Sequence, residues 1–144
     1  MTSVLLTLQR LVPSAAGLAI GFPVFAFICW AYNPTFLYNL SPSAGTVKPS
    51  TMAAICFCGL SLWLQADEAA MTRARRRMAQ GFAGLAGLLA AVTMLEYLLS
   101  LDLGVDLWLA SVPDLAMDSH PGRMAPATTF AILMLALALL QLDS

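Results

Sequence analysis

Four apolar runs alternate with short polar connectors along the chain, and they cover residues 11–32, 49–65, 78–101 and 126–142. Runs of this length are typical of helices that cross about 30 Å of hydrocarbon at a rise of about 1.5 Å per residue. The pattern therefore predicts an all-α integral membrane protein with four transmembrane helices. We expect all 144 residues to form a single four-helix membrane domain.

Composition supports a bilayer as the surroundings of this chain. Hydrophobic residues make up 60% of the sequence and charged residues only 10%, and the mean hydropathy is +0.80. A net charge of -1 gives no basis for nucleic-acid binding, so lipid is the first expected partner. Cys29, Cys56 and Cys58 lie within apolar runs, where a thiol behaves as a small hydrophobic group, and we interpret them as structural.

The fourth run resembles the second when the chain is shifted by 77 residues. This shift places Pro49 on Pro126 and Thr51 on Thr128, so that a Pro-x-Thr sequence opens both runs. A repeat of this kind predicts two helical hairpins that arose by duplication.

Arginines mark one connector, the stretch of residues 66–77 between the second and third runs. The other two connectors hold one basic residue each, Lys48 and Arg123. The positive-inside rule then places both termini and the arginine-rich connector in the cytoplasm. We expect these arginines to set the topology and to touch anionic headgroups, with binding of a partner protein as the alternative. They are Arg73, Arg75, Arg76 and Arg77.

Small residues are frequent in the first half of the third run. In a membrane, small side chains let a neighbouring helix backbone approach closely. The residues that we expect to serve this purpose are Gly81, Gly84, Gly87 and Ala91. A packing face within the bundle and a seam between two copies of the chain both remain open.

Polar chemistry is concentrated between Glu96 and Thr129. Glu96 lies within the third apolar run, where an ionised carboxylate is costly unless it is paired, neutralised or in contact with water. We predict that Glu96 points into the bundle near Thr128 and Thr129, with Arg123 as its charged partner. A structural polar cluster and a site for a ligand or proton are both compatible with this arrangement. The candidate residues are Glu96, Tyr97, Asp102, Asp106, His120, Arg123, Thr128 and Thr129.

Two features of the last connector suggest further chemistry. His120 titrates near neutral pH and could sense protons, although a single loop histidine is more often simply solvated. Four aspartates, Asp102, Asp106, Asp114 and Asp118, offer oxygen ligands that suit hard cations, but no calcium-loop pattern is present. We assign no metal and no cofactor.

Several short motifs resemble a known domain. They are Thr93-Met-Leu-Glu-Tyr-Leu98, Asp102-Leu-Gly-Val-Asp106, Pro121-Gly-Arg-Met-Ala-Pro-Ala-Thr128, and Lys48-Pro-Ser-Thr51 together with Gly59-Leu60. Together they resemble the N-terminal four-helix membrane sensor domain of bacterial signalling proteins that carry PAS, histidine-kinase or diguanylate-cyclase modules. The resemblance implies a signal-input role in the bacterial cytoplasmic membrane, with an unidentified stimulus.

The resemblance also bears on the partners of the chain. Such domains normally continue into a cytoplasmic effector, so we expect either an excised input domain or a free-standing relative that works through another polypeptide. The expected partners are other membrane or cytoplasmic signalling proteins and a second copy of the chain. An accessory subunit of a larger membrane complex is the alternative function. We expect no enzymatic activity, because the sequence contains no nucleophile–base constellation.

Overall fold

The computed structural model describes residues 2–32, 48–67, 71–100, 103 and 123–142. Every regular element within these residues is an α-helix, which confirms the predicted helical class. The helices are α1 (Thr2–Tyr32), α2 (Pro49–Gln65), α3 (Arg73–Leu99) and α4 (Pro126–Gln141).

Two of the helices are long and apolar enough to cross a membrane, namely α3 and the Leu11–Cys29 part of α1. The other two are apolar but shorter, since α2 has 17 residues and α4 has 16. At a rise of about 1.5 Å per residue these two helices are roughly 25 Å long, slightly less than the hydrocarbon core of a typical bilayer.

Helices α2 and α4 begin in the same way. Each has proline as its first residue, preceded by an extended residue, which is Lys48 (φ -76°, ψ 139°) before α2 and Ala125 (φ -63°, ψ 145°) before α4. Proline suits this position because a helix makes no use of the N–H that proline lacks. The Pro-x-Thr sequence is therefore a helix start at both places.

Helix α3 begins at Arg73 and not at Met78, the first residue of the apolar run. Thr72 precedes it, and the Oγ1 atom of Thr72 accepts a hydrogen bond from the backbone N–H of Arg75 at 3.2 Å. This side chain satisfies a donor that the helix leaves free, and arginine is a good helix former. The four arginines consequently lie on the first turns of α3, not in a connector as the hydropathy pattern suggested.

The described helices pack around α2. Helix α2 contacts α1, α3 and α4, and α3 also contacts α4, whereas among the described residues α1 touches only α2. The core lies between α2, α3 and α4, where the fully buried residues of α3 are mostly alanines. They are Ala79, Ala83, Ala86 and Ala90, and the same face continues through Thr93 and Glu96. Spacings of three and four residues place all six on one side of the helix.

Only one of the glycines expected to pack within the bundle does so. A Cβ atom at Gly87 would lie 3.3 Å from the Cβ of Ala136 in α4, whereas one at Gly81 or Gly84 would meet no described atom within 4 Å. Ala91 is half-buried. The prediction is thus wrong for packing of Gly81 and Gly84 within the chain, because the buried face follows the alanines. Gly84, for example, is turned by about 100° from Ala83.

Among the described glycines, the closest approach occurs instead between α1 and α2. A Cβ at Gly59 would lie 2.9 Å from Ile20 Cγ1 and 3.0 Å from the backbone carbon of Ala19. These distances are too short for a real side chain, so the position of α1 against α2 depends on the missing methyl group. The sequence marked Gly59 only through the resemblance of Gly59-Leu60 to a known domain, and it did not indicate that this glycine would pack more closely than those of α3.

We predict that Gly59→Ala destabilises the protein by about 1–3 kcal/mol, because the added methyl group must push α1 away. Gly84→Ala is the matched control, with open space around the new methyl group and a gain in helix propensity of up to about 1 kcal/mol. Thermal unfolding in detergent, followed by circular dichroism, measures both effects. Equal stability of the two variants would contradict the close packing at Gly59.

Candidate functional site

Glu96 lies in the last turn of α3 and is 1% exposed. Two effects oppose a negative charge at this position. Burial removes the water that would solvate the carboxylate, and the C-terminal end of a helix carries partial negative charge of its own. The structure must therefore supply compensating groups around Glu96.

Arg123 supplies the compensating charge. Its Nε atom lies 3.4 Å from Glu96 Oε2, and its side chain is 6% exposed. Arg123 stands three residues before the first residue of α4. The inward orientation of Glu96 and its pairing with Arg123 are confirmed. Whether the pair senses a signal stays a prediction.

A backbone group completes one side of the carboxylate. The N–H of Leu103 donates a hydrogen bond to Glu96 Oε1 at 3.1 Å. Ser100 ends α3 in the left-handed conformation, with φ of 51°, and its N–H donates to the carbonyl of Glu96. A left-handed residue turns the chain sharply at a helix end, which agrees with the position of the Leu103 N–H beside the carboxylate.

Tyr97 forms a second link between α3 and the segment before α4. Its hydroxyl group donates a hydrogen bond to the carbonyl of Met124 at 2.7 Å. The guanidinium carbon of Arg123 lies 5.5 Å from the centre of the Tyr97 ring, within the range of a cation–π interaction. We call Glu96, Tyr97 and Arg123 the Glu96 cluster. It joins the last turn of α3 to the residues that lead into α4.

The threonines play a different part from the one predicted. Thr129 is fully buried, but its hydroxyl group donates to the carbonyl of Ala125 at 3.0 Å and not to Glu96. Thr93 likewise donates to the carbonyl of Leu89 at 3.1 Å. Each hydroxyl group thus donates to the backbone carbonyl four residues earlier, a hydrogen bond that threonine often makes in helices. Thr128 is half-buried.

One oxygen of the carboxylate has no hydrogen-bond donor among the described residues. Glu96 Oε2 is buried, and among the described residues it accepts no hydrogen bond, although the charge of Arg123 is close. A buried acceptor in this state is a place where water or a donor group of a ligand would be stabilised. Glu96 Oε2 therefore retains acceptor capacity that no described residue uses.

The other predicted site residues, Asp102, Asp106 and His120, lie outside the described residues. Within the part of the chain that the structure describes, no three His, Cys, Asp or Glu side chains come close enough together to hold a metal ion.

A second polar group of residues, which the sequence did not reveal, lies at the opposite end of α2 and α4. The Nε2 atom of Gln65 donates to Ser61 Oγ at 3.0 Å and to the carbonyl of Leu139 in α4 at 3.3 Å. Nearby, Arg75 Nη2 donates to the carbonyl of Trp63 at 3.4 Å and so ties α3 to α2. Gln65 ends the second apolar run, and this position was its only sequence signal. Its partner is a backbone carbonyl, which sequence patterns do not show.

Comparison of the chain with protein-family models, curated proteins and solved structures finds no match.

We predict that removing one charge of the buried pair is costlier than removing both. Glu96→Leu or Arg123→Met alone should destabilise the protein by about 3–5 kcal/mol, because each leaves an uncompensated buried charge. The double variant should cost less than either single change. Tyr97→Phe sets the scale for a lost neutral hydrogen bond, about 1 kcal/mol. Denaturation in mixed detergent measures all four, and additive losses in the double variant would show that the two charges do not interact.

Proposed function

We propose that the chain is a membrane-embedded signal-input domain whose Glu96 cluster changes state in response to a stimulus from the outer side of the membrane. The observation that carries this proposal is the buried pair of Glu96 and Arg123, with one carboxylate oxygen that accepts no hydrogen bond from any described residue. An ionisable pair in a membrane helix bundle is costly to maintain, and such groups usually mark functional sites.

The position of the cluster suggests how a stimulus acts. Glu96 and Tyr97 belong to the end of α3, whereas Arg123 and Met124 lie directly before α4. A proton or ligand that neutralises Glu96 removes the counter-charge of Arg123 and weakens the link between these two segments. The entry into α4 is then free to move against α3. A stimulus shifts such an equilibrium only as far as it interacts differently with the two states.

Four transmembrane helices form the proposed framework. Large apolar side chains are exposed on α1 and α4, for example Leu18 (74%), Phe25 (61%) and Phe130 (55%). Exposure on this scale is unfavourable in water and suits a surface that faces lipid. Helices α2 and α4 are slightly short, which a bilayer accommodates by local thinning at modest cost.

Two internal correspondences support the proposed duplication of a hairpin. Gly59 of α2 lies against Ile20 of α1, and Ala136 of α4 lies against Gly87 of α3. A shift of 77 residues relates Gly59 to Ala136, and a shift of 67 residues relates Ile20 to Gly87. The same shifts relate other buried residues, including Ala16 to Ala83 and Met52 to Thr129. We infer that each hairpin packs its two helices in the same register.

The proposed orientation rests on the arginines. Arg73 begins α3 and Glu96 is close to its other end, so that about 35 Å of helix separates them at 1.5 Å per residue. Placement of the arginine end in the cytoplasm puts the Glu96 cluster near the outer surface. We place the chain in the bacterial cytoplasmic membrane with both termini on the cytoplasmic side.

An accessory role in a larger membrane complex is the second candidate. It is favoured by α1, which contacts only α2 among the described helices and leaves Leu18, Phe22 and Phe25 exposed. Purification from native membranes in a mild detergent distinguishes the two functions. A fixed ratio to several other membrane subunits would favour the accessory role.

We predict the topology from labelling of single cysteines in a background without the three native ones. Ser43→Cys or Ser119→Cys should react with a membrane-impermeant thiol reagent added to intact cells, because both connectors are placed outside. Ala74→Cys, on the exposed side of the first turn of α3, should react only after the cells are opened. Labelling of Ala74→Cys alone in intact cells would reverse the orientation.

We predict that Glu96→Gln changes the output of a reporter histidine kinase joined after Ser144, because it removes the charge but keeps an acceptor for the Leu103 N–H. Asp67→Asn makes the same chemical change at an exposed carboxylate and should leave the output unaltered. Phosphotransfer in membrane vesicles measures both. Equal output from wild type and from both variants would restrict the Glu96 cluster to a structural role.

A further inference from the structure

Helix α2 has two buried faces. Its first face, at Met52 and Gly59, packs towards α1 at Gly59. Its second face consists of residues spaced by three and four, and two of them belong to the core shared with α3 and α4. These residues are Ser50, Ala54, Cys58 and Ser61. At its edge, the ring of Phe57 stacks on Phe82 of α3, with 6.0 Å between the ring centres.

The corresponding face of α4 is uncovered. The shift of 77 residues carries the second face of α2 onto positions that are all exposed, and we call them the outer face of α4. They are Ala127, Ala131, Leu135 and Ala138. The contrast is clear at one pair of positions, since Cys58 is 4% exposed and Leu135 is 49% exposed.

The corresponding edge of α1 is also uncovered. Arg75 and Phe82 of α3 both contact α2. The shift of 67 residues relates Phe82 of α3 to Ala15 of α1. It also relates Leu89, seven residues after Phe82, to Phe22. Ala15 and Phe22 are exposed, and no described residues of α1 and α4 touch each other. A single chain therefore carries the two surfaces needed for a second interface like that between α2 and α3, namely the outer face of α4 and the edge of α1. Within the chain these two surfaces do not touch each other.

We propose that a second copy of the chain completes this interface, with its α1 packed on the outer face of α4 as α3 packs on α2. The proposal rests on the proposed placement of all four helices across the membrane. In that placement α1 of one copy runs antiparallel to α4 of the next, as α3 does to α2. The contact continues, between chains, an interface that already exists within the chain.

The side chains on the two surfaces suit close packing in lipid. Three of the four residues on the outer face of α4 are alanines, which let another helix approach closely. Phe22 of the second copy provides bulk to lie against them. Because the two surfaces differ, the contact is heterologous, and repetition of it produces a closed ring or a longer assembly.

Cross-linking in native membranes tests the interface. The test variant carries Ala15→Cys and Met134→Cys in one chain, with alanine at all three native cysteine positions. These two positions correspond to Phe82 and Phe57. A membrane-permeant bifunctional thiol reagent should join these residues between chains and produce dimers and larger species. Co-expression of the two single variants should give dimers only, and neither variant alone should give any. This pattern is specific to a heterologous contact.

Two further pairs complete the test. Gly17→Cys with Met134→Cys is the matched control, because Gly17 is exposed but lies about 200° around α1 from Ala15, and it should not cross-link. Gly87→Cys with Ala136→Cys should join within one chain and reports correct folding. Folded protein in which the Ala15 pair stays monomeric, or dimers from a single variant alone, would overturn the proposal. If Gly87→Cys and Ala136→Cys did not cross-link within one chain, the packing of α3 on α4 from which the proposal is argued would be rejected. Topological labelling, which tests the membrane placement, is independent of all these outcomes.

Discussion

A buried carboxylate at the end of α3 is the constraint on which the junction of α3 and α4 depends. Glu96 can remain in place only if its charge is balanced, and the balancing group, Arg123, comes from the other side of the last connector. The left-handed residue Ser100 follows α3, and beyond it the Leu103 N–H donates a hydrogen bond to the same carboxylate. With Tyr97 bound to the carbonyl of Met124, the start of α4 is tied to the end of α3 by a charge, a ring contact and a hydrogen bond.

Between its polar ends, the fully buried residues of α3 are all alanines, and the Phe82 ring that stacks on Phe57 lies at the edge of this surface. Ala83, Ala86 and Ala90 are fully buried and present only methyl groups to the other helices. Such a surface permits close approach but has few features that resist sliding. The polar contacts at the two ends, the Glu96 cluster and the bond from Gln65 to Leu139, are therefore well placed to determine the register of α4. A change in either polar contact would therefore affect the register of α4, which the alanine surface alone does not fix.

The two proposed hairpins differ at the position of the buried carboxylate, Glu96. The shift of 67 residues that relates α1 to α3 places half-buried Cys29 at the position of Glu96. The first hairpin thus has a small apolar side chain where the second has a buried acid. The acid gives the second hairpin a buried ionisable group that the first hairpin lacks at this position. In the signal-input function proposed above, the second hairpin would carry the responding group and the first would support it.

Hydropathy, proline positions and the cost of a buried charge were enough to predict the helical class, the starts of α2 and α4, and the pairing of Glu96 with Arg123. These features depend on local sequence or on a charge so costly that few arrangements can stabilise it. The sequence did not distinguish alanines from glycines on α3, because small residues occur all around that helix and only the placement of α2 and α4 selects a buried side. Nor did it show that Gly59 would meet Ala19 and Ile20, or that the hydroxyl group of Thr129 would turn to Ala125. Such contacts join residues far apart in the chain or involve backbone groups that every residue carries, so only the tertiary structure decides between them.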